Sequence, residues 1–240
     1  MSDAFSISIQ SLQSDMRKLE TVSHNLSNTT TAGYRRQISK SAPFSTVFDS
    51  EQLSLSPSTA APGLHRTDMR AGPLQATNRP LDLAIQGEAF FVVNTPQGPA
   101  YTRRGDFQIA ADGRLVTAKG EPVLGTQGEL HLEAGEYRVD TTGQISVNGS
   151  IVGQLLLVEP GKGASLQALG DAQYTGLEGV QQPNELHSTV RSGFVESSNV
   201  VPMQEMVSLM ETMRHFEAGQ RLIQGYDDAM SRAIQKLGEV

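Results

Sequence analysis

The sequence predicts an α+β chain in which long N- and C-terminal helices pair as a coiled coil and a mostly antiparallel β domain is inserted between them. Three observations predict it. An apolar heptad stripe lies near each end, short β-patterned runs fill the middle, and hairpin dipeptides separate those runs.

At the N-terminus Phe5, Ile9, Leu12, Met16, Leu19 and Leu26 recur at spacings of four and three, with Ser23 in the one gap. The other face is Ser, Gln, Asp, Arg and Lys, so this helix cannot be buried on all sides. A matching stripe closes the chain: Leu209, Met213, Phe216, Ile223, Met230, Ile234 and Leu237, with Gln220 and Asp227 at two seam positions. Polar seam residues weaken packing but fix register. Ser198 or Asn199 is the expected N-cap of this second helix, and Pro202 falls in its first turn. Single helices of this length are marginal in water. Each end therefore needs the other, or a neighbour.

Between the ends the period changes. Ser41 to Arg79 is rich in Ser, Pro, Thr and Ala without sustained periodicity and reads as an extended connector. β-like runs follow at Leu83–Ile85, Phe90–Val93, Phe107–Ile109, Leu115–Thr117, Ile145–Val147 and Ile151–Val158. Asp112-Gly113 and Asn148-Gly149 each separate two runs and tolerate positive φ, so two hairpins are expected. No strand alternates with a long helix, which disfavours a doubly wound sheet. The expected organisation is a terminal helical assembly domain from residues 1–35 and 200–240, a connector at 36–79, and a β-rich domain with its return connector at 80–199.

Composition narrows the function. Trp is absent and aromatics are 5%, while Gly (23) and Pro (11) are plentiful, which suits a turn-rich β body with an aliphatic core. The formal net charge of −7 offers no basic field for a phosphate backbone, so nucleic acid is not an expected partner. The chain has no cysteine, which removes disulfides, thiolate metal sites and Cys nucleophiles together. Met1 to Gln10 contains Asp3, no Lys or Arg, and is followed by no apolar h-region, so no cleaved secretory signal is expected. No stretch approaches the length of a membrane-spanning helix, and direct membrane insertion is not expected either.

Residues able to carry chemistry are scattered. His24, His65, His131, His187 and His215 show no metal-ligand spacing. Asp227 and Asp228 are neighbours, which on a helix diverge by about 100° and cannot grip one substrate atom. Gly161-Lys162-Gly163-Ala164-Ser165 lacks the first glycine of a phosphate-binding loop and reads as a surface loop. Met203, Met206, Met210 and Met213 form either a packed stripe or an adaptable binding surface. No catalytic, cofactor or metal site is expected, nor a small-molecule substrate, and the chain does not read as an enzyme. Two rival readings are a β-domain enzyme and a soluble adhesin or carbohydrate-binding module; both leave the terminal heptads unexplained.

Four ordered motifs carry a family resemblance. His24-Asn25-Leu26-Ser27-Asn28-Thr29-Thr30-Thr31-Ala32-Gly33-Tyr34-Arg35 resembles the signature that follows the first helix in the flagellar rod and hook family of bacterial axial proteins, with His24, Ser27, Tyr34 and Arg35 as departures. Within it, Asn25, Leu26, Asn28, Thr31, Gly33 and Tyr34 are the family-motif positions, and Asn28 or Gly33 is expected to supply a left-handed turn at the helix end. Pro80-Leu81-Asp82-Leu83-Ala84-Ile85-Gln86-Gly87-Glu88-Ala89-Phe90-Phe91-Val92-Val93 is similar to the opening of the family's β domain. Arg104-Gly105-Asp106-Phe107 with Asp112-Gly113-Arg114-Leu115-Val116-Thr117 and Gly120 resembles its next hairpin, and Glu196-Ser197-Ser198-Asn199-Val200 the lead into its last helix. Met213-Arg214-His215-Phe216-Glu217 is similar to proximal rod members; distal rod members, which generally have Tyr where Phe216 stands, come second.

The resemblance implies a structural subunit of the basal-body rod, exported unfolded through the flagellar type III apparatus without a cleaved signal. It further implies assembly in the periplasm into a hollow shaft that transmits torque and conducts later subunits. Its implied partners are other copies of itself, adjacent rod proteins and the export apparatus. No cofactor is implied.

Overall fold

A computed structural model describes residues 2–39, 65–161, 166–176 and 188–238; side chains are described from residue 8, except at 65, 230, 233, 234 and 236–238. Two compact units form. One comprises Met1–Ser27, Gln37–Asp68 and Val201–Val240, and the other Asn28–Arg36 and Met69–Val200.

In the first unit, α1 spans Ser2–Ser27, and β1 (Gln37–Ser39) pairs antiparallel with β2 (His65–Thr67). In the second unit the strands are β3 (Leu74–Ala76), β4 (Leu83–Gln86), β5 (Phe90–Thr95), β6 (Gly98–Thr102), β7 (Gln108–Ile109), β8 (Leu115–Val116), β9 (Leu124–Gly125) and β10 (Gly128–Glu129). They continue with β11 (Tyr137–Val139), β12 (Gln144–Val147), β13 (Ser150–Gln154), β14 (Leu157–Val158), β15 (Gln167–Gly170), β16 (Gln173–Thr175), β17 (Thr189–Ser192) and β18 (Phe194–Glu196). The chain returns to the first unit as α2, Pro202–Gly238.

The run Phe90-Phe91-Val92-Val93 fixes the centre of the β unit. Side chains on a strand alternate between faces, so a continuous apolar run must be covered on both. Phe91 and Val93 enter the main core with Leu83, Ile85, Phe107, Leu115 and Ile145, while Phe90 and Val92 join Val158 and Tyr174 in a second cluster. Phe91 meets Phe107 edge-on at 5.1 Å between centroids. Around β5 the largest sheet has the order β14-β5-β6-β16-β15, and β11-β12-β13 forms a second sheet. Every one of these pairings is antiparallel.

Both expected hairpins are present. Gly113 (φ 83°) turns β7 into its partner β8, and Asn148 (φ 51°) with Gly149 (φ 84°) turns β12 into β13. The Ile151–Val158 run is divided, because β13 stops at Gln154 and β14 starts at Leu157.

The predicted α+β class, with a coiled-coil pair as its organising feature, is corrected. Among the described residues two helices, one at each end, flank a large, antiparallel β region of eighteen strands. The helices do touch, and the predicted seam is only partly used: Leu12 lies at the contact, whereas Ile9, Met16 and Met213 stay exposed. A heptad of apolar residues specifies that a stripe wants burial; it does not specify which helix buries it.

The helix ends also differ in detail from the sequence expectation. Val201, not Ser198 or Asn199, caps α2, its carbonyl accepting from the Gln204 and Glu205 N–H groups. The hydroxyl of Ser198 accepts from Val200 N–H, and Asn199 is engaged elsewhere. Pro202 stands at the first helical position, where its missing N–H costs nothing. Beyond α1 the left-handed turn comes from Gly33 (φ 67°). Gly161–Ser165 and His187 fall largely or wholly outside the described residues, as does most of the Ser41–Arg79 connector before His65.

Candidate functional site

Three contacts show how α1 and α2 meet, and their order makes the pair antiparallel. A Cβ on Gly219 would lie 2.8 Å from Leu12 Cδ2, His215 Nδ1 stands 2.6 Å from Asp15 Oδ2, and Asn25 Nδ2 donates to Glu205 Oε2 at 3.3 Å. Asp15, Lys18, Glu211, Thr212 and His215 line a cleft beside this contact.

On α2 the inward line is Glu205, Thr212 and Gly219, seven residues apart. It is polar and small, and its polar groups are satisfied where they are buried. Glu205 is fully buried against Asn25, and Thr212 Oγ1 donates to Ser208 O at 2.7 Å. On α1, Thr21 does the same with Arg17 O at 2.8 Å, and Val22 is buried beside it.

The predicted seam is therefore split. Leu12, which faces Gly219, is half-buried, as are Leu19, Leu26, Leu209, Phe216 and Ile223. Ile9, Met16 (59% exposed) and Met213 (49%) point outward, as do the seam positions Gln220 and Asp227. The side chains of Phe5, Met230, Ile234 and Leu237 lie outside the described set. Met213 continues into a second exposed apolar stripe, Met203, Met206, Val207 and Met210, on the side of α2 away from Glu205 and Thr212.

The motif residues have two kinds of task. In the helical unit, Asn25 is buried and imitates a strand partner, its Oδ1 accepting from Gln37 N–H at 2.8 Å and its Nδ2 donating to Gln37 O at 2.9 Å. This ties the last turn of α1 to β1. In the β unit, the Thr31 hydroxyl donates to Asn28 Oδ1 at 3.1 Å, holding the turn that Gly33 completes. Tyr34 packs against Ala172 and Val200.

Sequence reasoning missed the most deeply buried polar group of that unit. Arg35 and Arg103 both pair with Glu196, and the three side chains are at most 3% exposed. Burial pushes Arg103 down to about 10, opposed by the Glu196 carboxylate and reinforced by the Arg35 charge. Burial pushes the Tyr174 phenol up, so it stays neutral and accepts from Arg35 N–H at 3.2 Å. The signal in the sequence was slight: a lone Glu196 before the last helix, Arg35 at the end of the first motif, and Arg103 immediately before the Arg104–Phe107 motif. Glu205 carried a better one, as an acid in the first turn of α2.

Among the described residues no group of three or more His, Asp or Glu is placed to hold a metal ion, and no helix is long and apolar enough to cross a membrane. The arrangement offers surfaces and ties.

Comparison with known proteins agrees with this reading. Residues 84–147 match the flagellar hook protein FlgE/F/G D1 domain, and residues 191–236 match the flagellar basal body rod FlgEFG protein C-terminal family. The chain is 32% identical to the flagellar basal-body rod protein FlgF of Rhizobium meliloti over 92% of both chains. This chain belongs to the flagellar basal-body rod protein family. It is also 29% identical to FlgF of Mesorhizobium japonicum over 99% of both, and 26% identical to the rod protein FlgG of Bacillus subtilis over 94% of this chain and 96% of that one. The two matched segments of this rod protein divide its structure sensibly. The first covers β5 to β12 with their core, and the second runs from β17 through most of α2. The family resemblance read from the motifs is thus borne out.

Proposed function

We propose that this rod protein is a structural subunit of the proximal rod that assembles through the outward faces of its terminal helices. The observation that supports this is the apolar surface the intrachain helix pair leaves uncovered: Ile9 and Met16 on α1, and Met203, Met206, Val207, Met210 and Met213 on α2. Apolar stripes of this extent on a soluble chain call for a partner. Residues 1–35 and 200–240 are the assembly part, 36–79 the connector, and 80–199 the β-rich body carried by it. The remaining predicted interface residues, Phe5, Leu12, Leu19, Leu26, Leu209, Phe216, Ile223, Met230, Ile234 and Leu237, shape the same helices. The partners are further copies of the chain and adjacent rod proteins. Export through the flagellar type III apparatus without signal cleavage delivers the chain to the periplasm, where the shaft carries torque and conducts later subunits. No catalytic step is part of this function.

Met16→Asp and Met213→Asp test it. Each places a charge where a partner must desolvate it, which costs several kcal/mol on assembly, while an exposed site in the free chain changes stability by only about 0.5 kcal/mol. Both variants are expected to fold with an unchanged urea midpoint and to be absent from isolated basal bodies. Normal incorporation of both would refute the assigned surface.

A further inference from the structure

The two units are joined covalently at the peptide bonds 27–28, 36–37, 68–69 and 200–201. Three of these crossings lead within a few residues to one set of hydrogen bonds in the β unit. Residues 33–36, 70–72 and 196–199 are the passes concerned.

We propose that Glu196, Arg35 and Asn199 form a clasp that locks these three passes in one register, and that they act as positioning residues for assembly. The assembly role rests on the function proposed above. Glu196 Oε1 binds the Arg35 guanidinium and accepts from Gly72 N–H at 2.9 Å, while the Glu196 carbonyl accepts from Gly33 N–H at 2.7 Å. Arg35 Nη1 donates also to Arg70 O at 2.8 Å. Asn199 repeats the pattern a few residues on: its Oδ1 accepts from Arg36 N–H at 2.6 Å, its Nδ2 donates to Arg70 O at 2.8 Å, and its N–H reaches Tyr34 O at 3.3 Å. Two side chains on the last pass thus each reach both of the earlier ones.

Arg103 fastens the clasp to the sheet. Its Nη1 stands 3.4 Å from Glu196 Oε2, its Nη2 donates to Gly87 O at 2.6 Å, and its guanidinium lies 4.8 Å over the Phe90 ring. Two guanidinium groups share one carboxylate in a buried space. Well-packed apolar side chains of similar volume often replace such a buried ionic group without loss of stability. What the charged groups add is direction, because a planar fork and a carboxylate accept one geometry. A device of this kind suits passes that must not slip.

The test is amide exchange in the full-length free chain, followed by incorporation in cells. Glu196→Gln keeps the shape and removes the charge; Asn199→Ala removes side-chain bonds without stranding a charge, and covers the case in which the first variant does not fold. In Asn199→Ala the Gly72 amide, whose acceptor is Glu196, is expected to exchange at least about tenfold faster, together with Arg36. In Glu196→Gln the Arg36 amide, whose acceptor is Asn199, is expected to follow Gly72, while Phe91 and Val93 on β5 keep wild-type protection. If each variant loosens only the amide that its own side chain touches, the clasp is overturned. Variants with intact core protection are expected to be lost from basal bodies. Wild-type incorporation of chains whose clasp amides open together overturns the positioning role, whereas the assembly surface is judged separately by Met16→Asp and Met213→Asp.

Discussion

Phe91→Ala is expected to destabilise the β unit by about 3 to 5 kcal/mol, the range for truncating a fully buried aromatic residue. Phe91 has no exposed surface, lies mid-sheet on β5 between β14 and β6, and meets Phe107 edge-on. Its loss removes both the transferred apolar area and the packing of Phe107, and strands on both sides restrict collapse into the space left. Urea unfolding should show a lower midpoint with an unchanged slope. Ile151→Ala is the control. Ile151 is 66% exposed on β13, and its truncation should change stability by no more than about 0.5 kcal/mol. Equal effects of the two substitutions would mean that the core does not centre on β5.

Gly33→Val should cost roughly 3 kcal/mol or more, through two additive causes. The residue sits at φ 67°, where a β-branched side chain is strained, and its Cβ would fall 2.5 Å from Arg104 N and 2.6 Å from Arg103 C. Those are backbone atoms of the loop after β6, so they cannot swing aside as a flexible side chain would. Gly33→Ala should fall between wild type and valine. A valine chain with the wild-type midpoint would show that this passage moves freely in the native state.

Much of the β unit was readable from local pattern because strands and tight turns are local events. The Phe90–Val93 run, Asp112-Gly113 and Asn148-Gly149 each state their own conformation, and each is found where the residues place it. Both helices were readable for the same reason. Their mutual orientation was not. Periodicity ranks faces by hydrophobicity, yet α2 turns Glu205, Thr212 and Gly219 inward because the two polar groups find partners and the glycine admits Leu12. The caps misled in a similar way: Asn199 has good capping chemistry but spends it on Arg36 and Arg70. The Arg35–Glu196 and Arg103–Glu196 pairs span 161 and 93 residues of sequence. No window-based reading joins groups so far apart. The helix pair thus has an inward polar line, Glu205, Thr212 and Gly219, and an exposed apolar stripe, the surface proposed above for neighbours.

The most direct test of that assignment is hydrogen exchange of residues 9–16 and 203–213, compared between the free chain and isolated basal bodies. Assembly through the outward faces predicts a large gain of protection in both segments, with β5 and β12 protected equally in the two states. Unchanged protection of both helix segments would contradict the account.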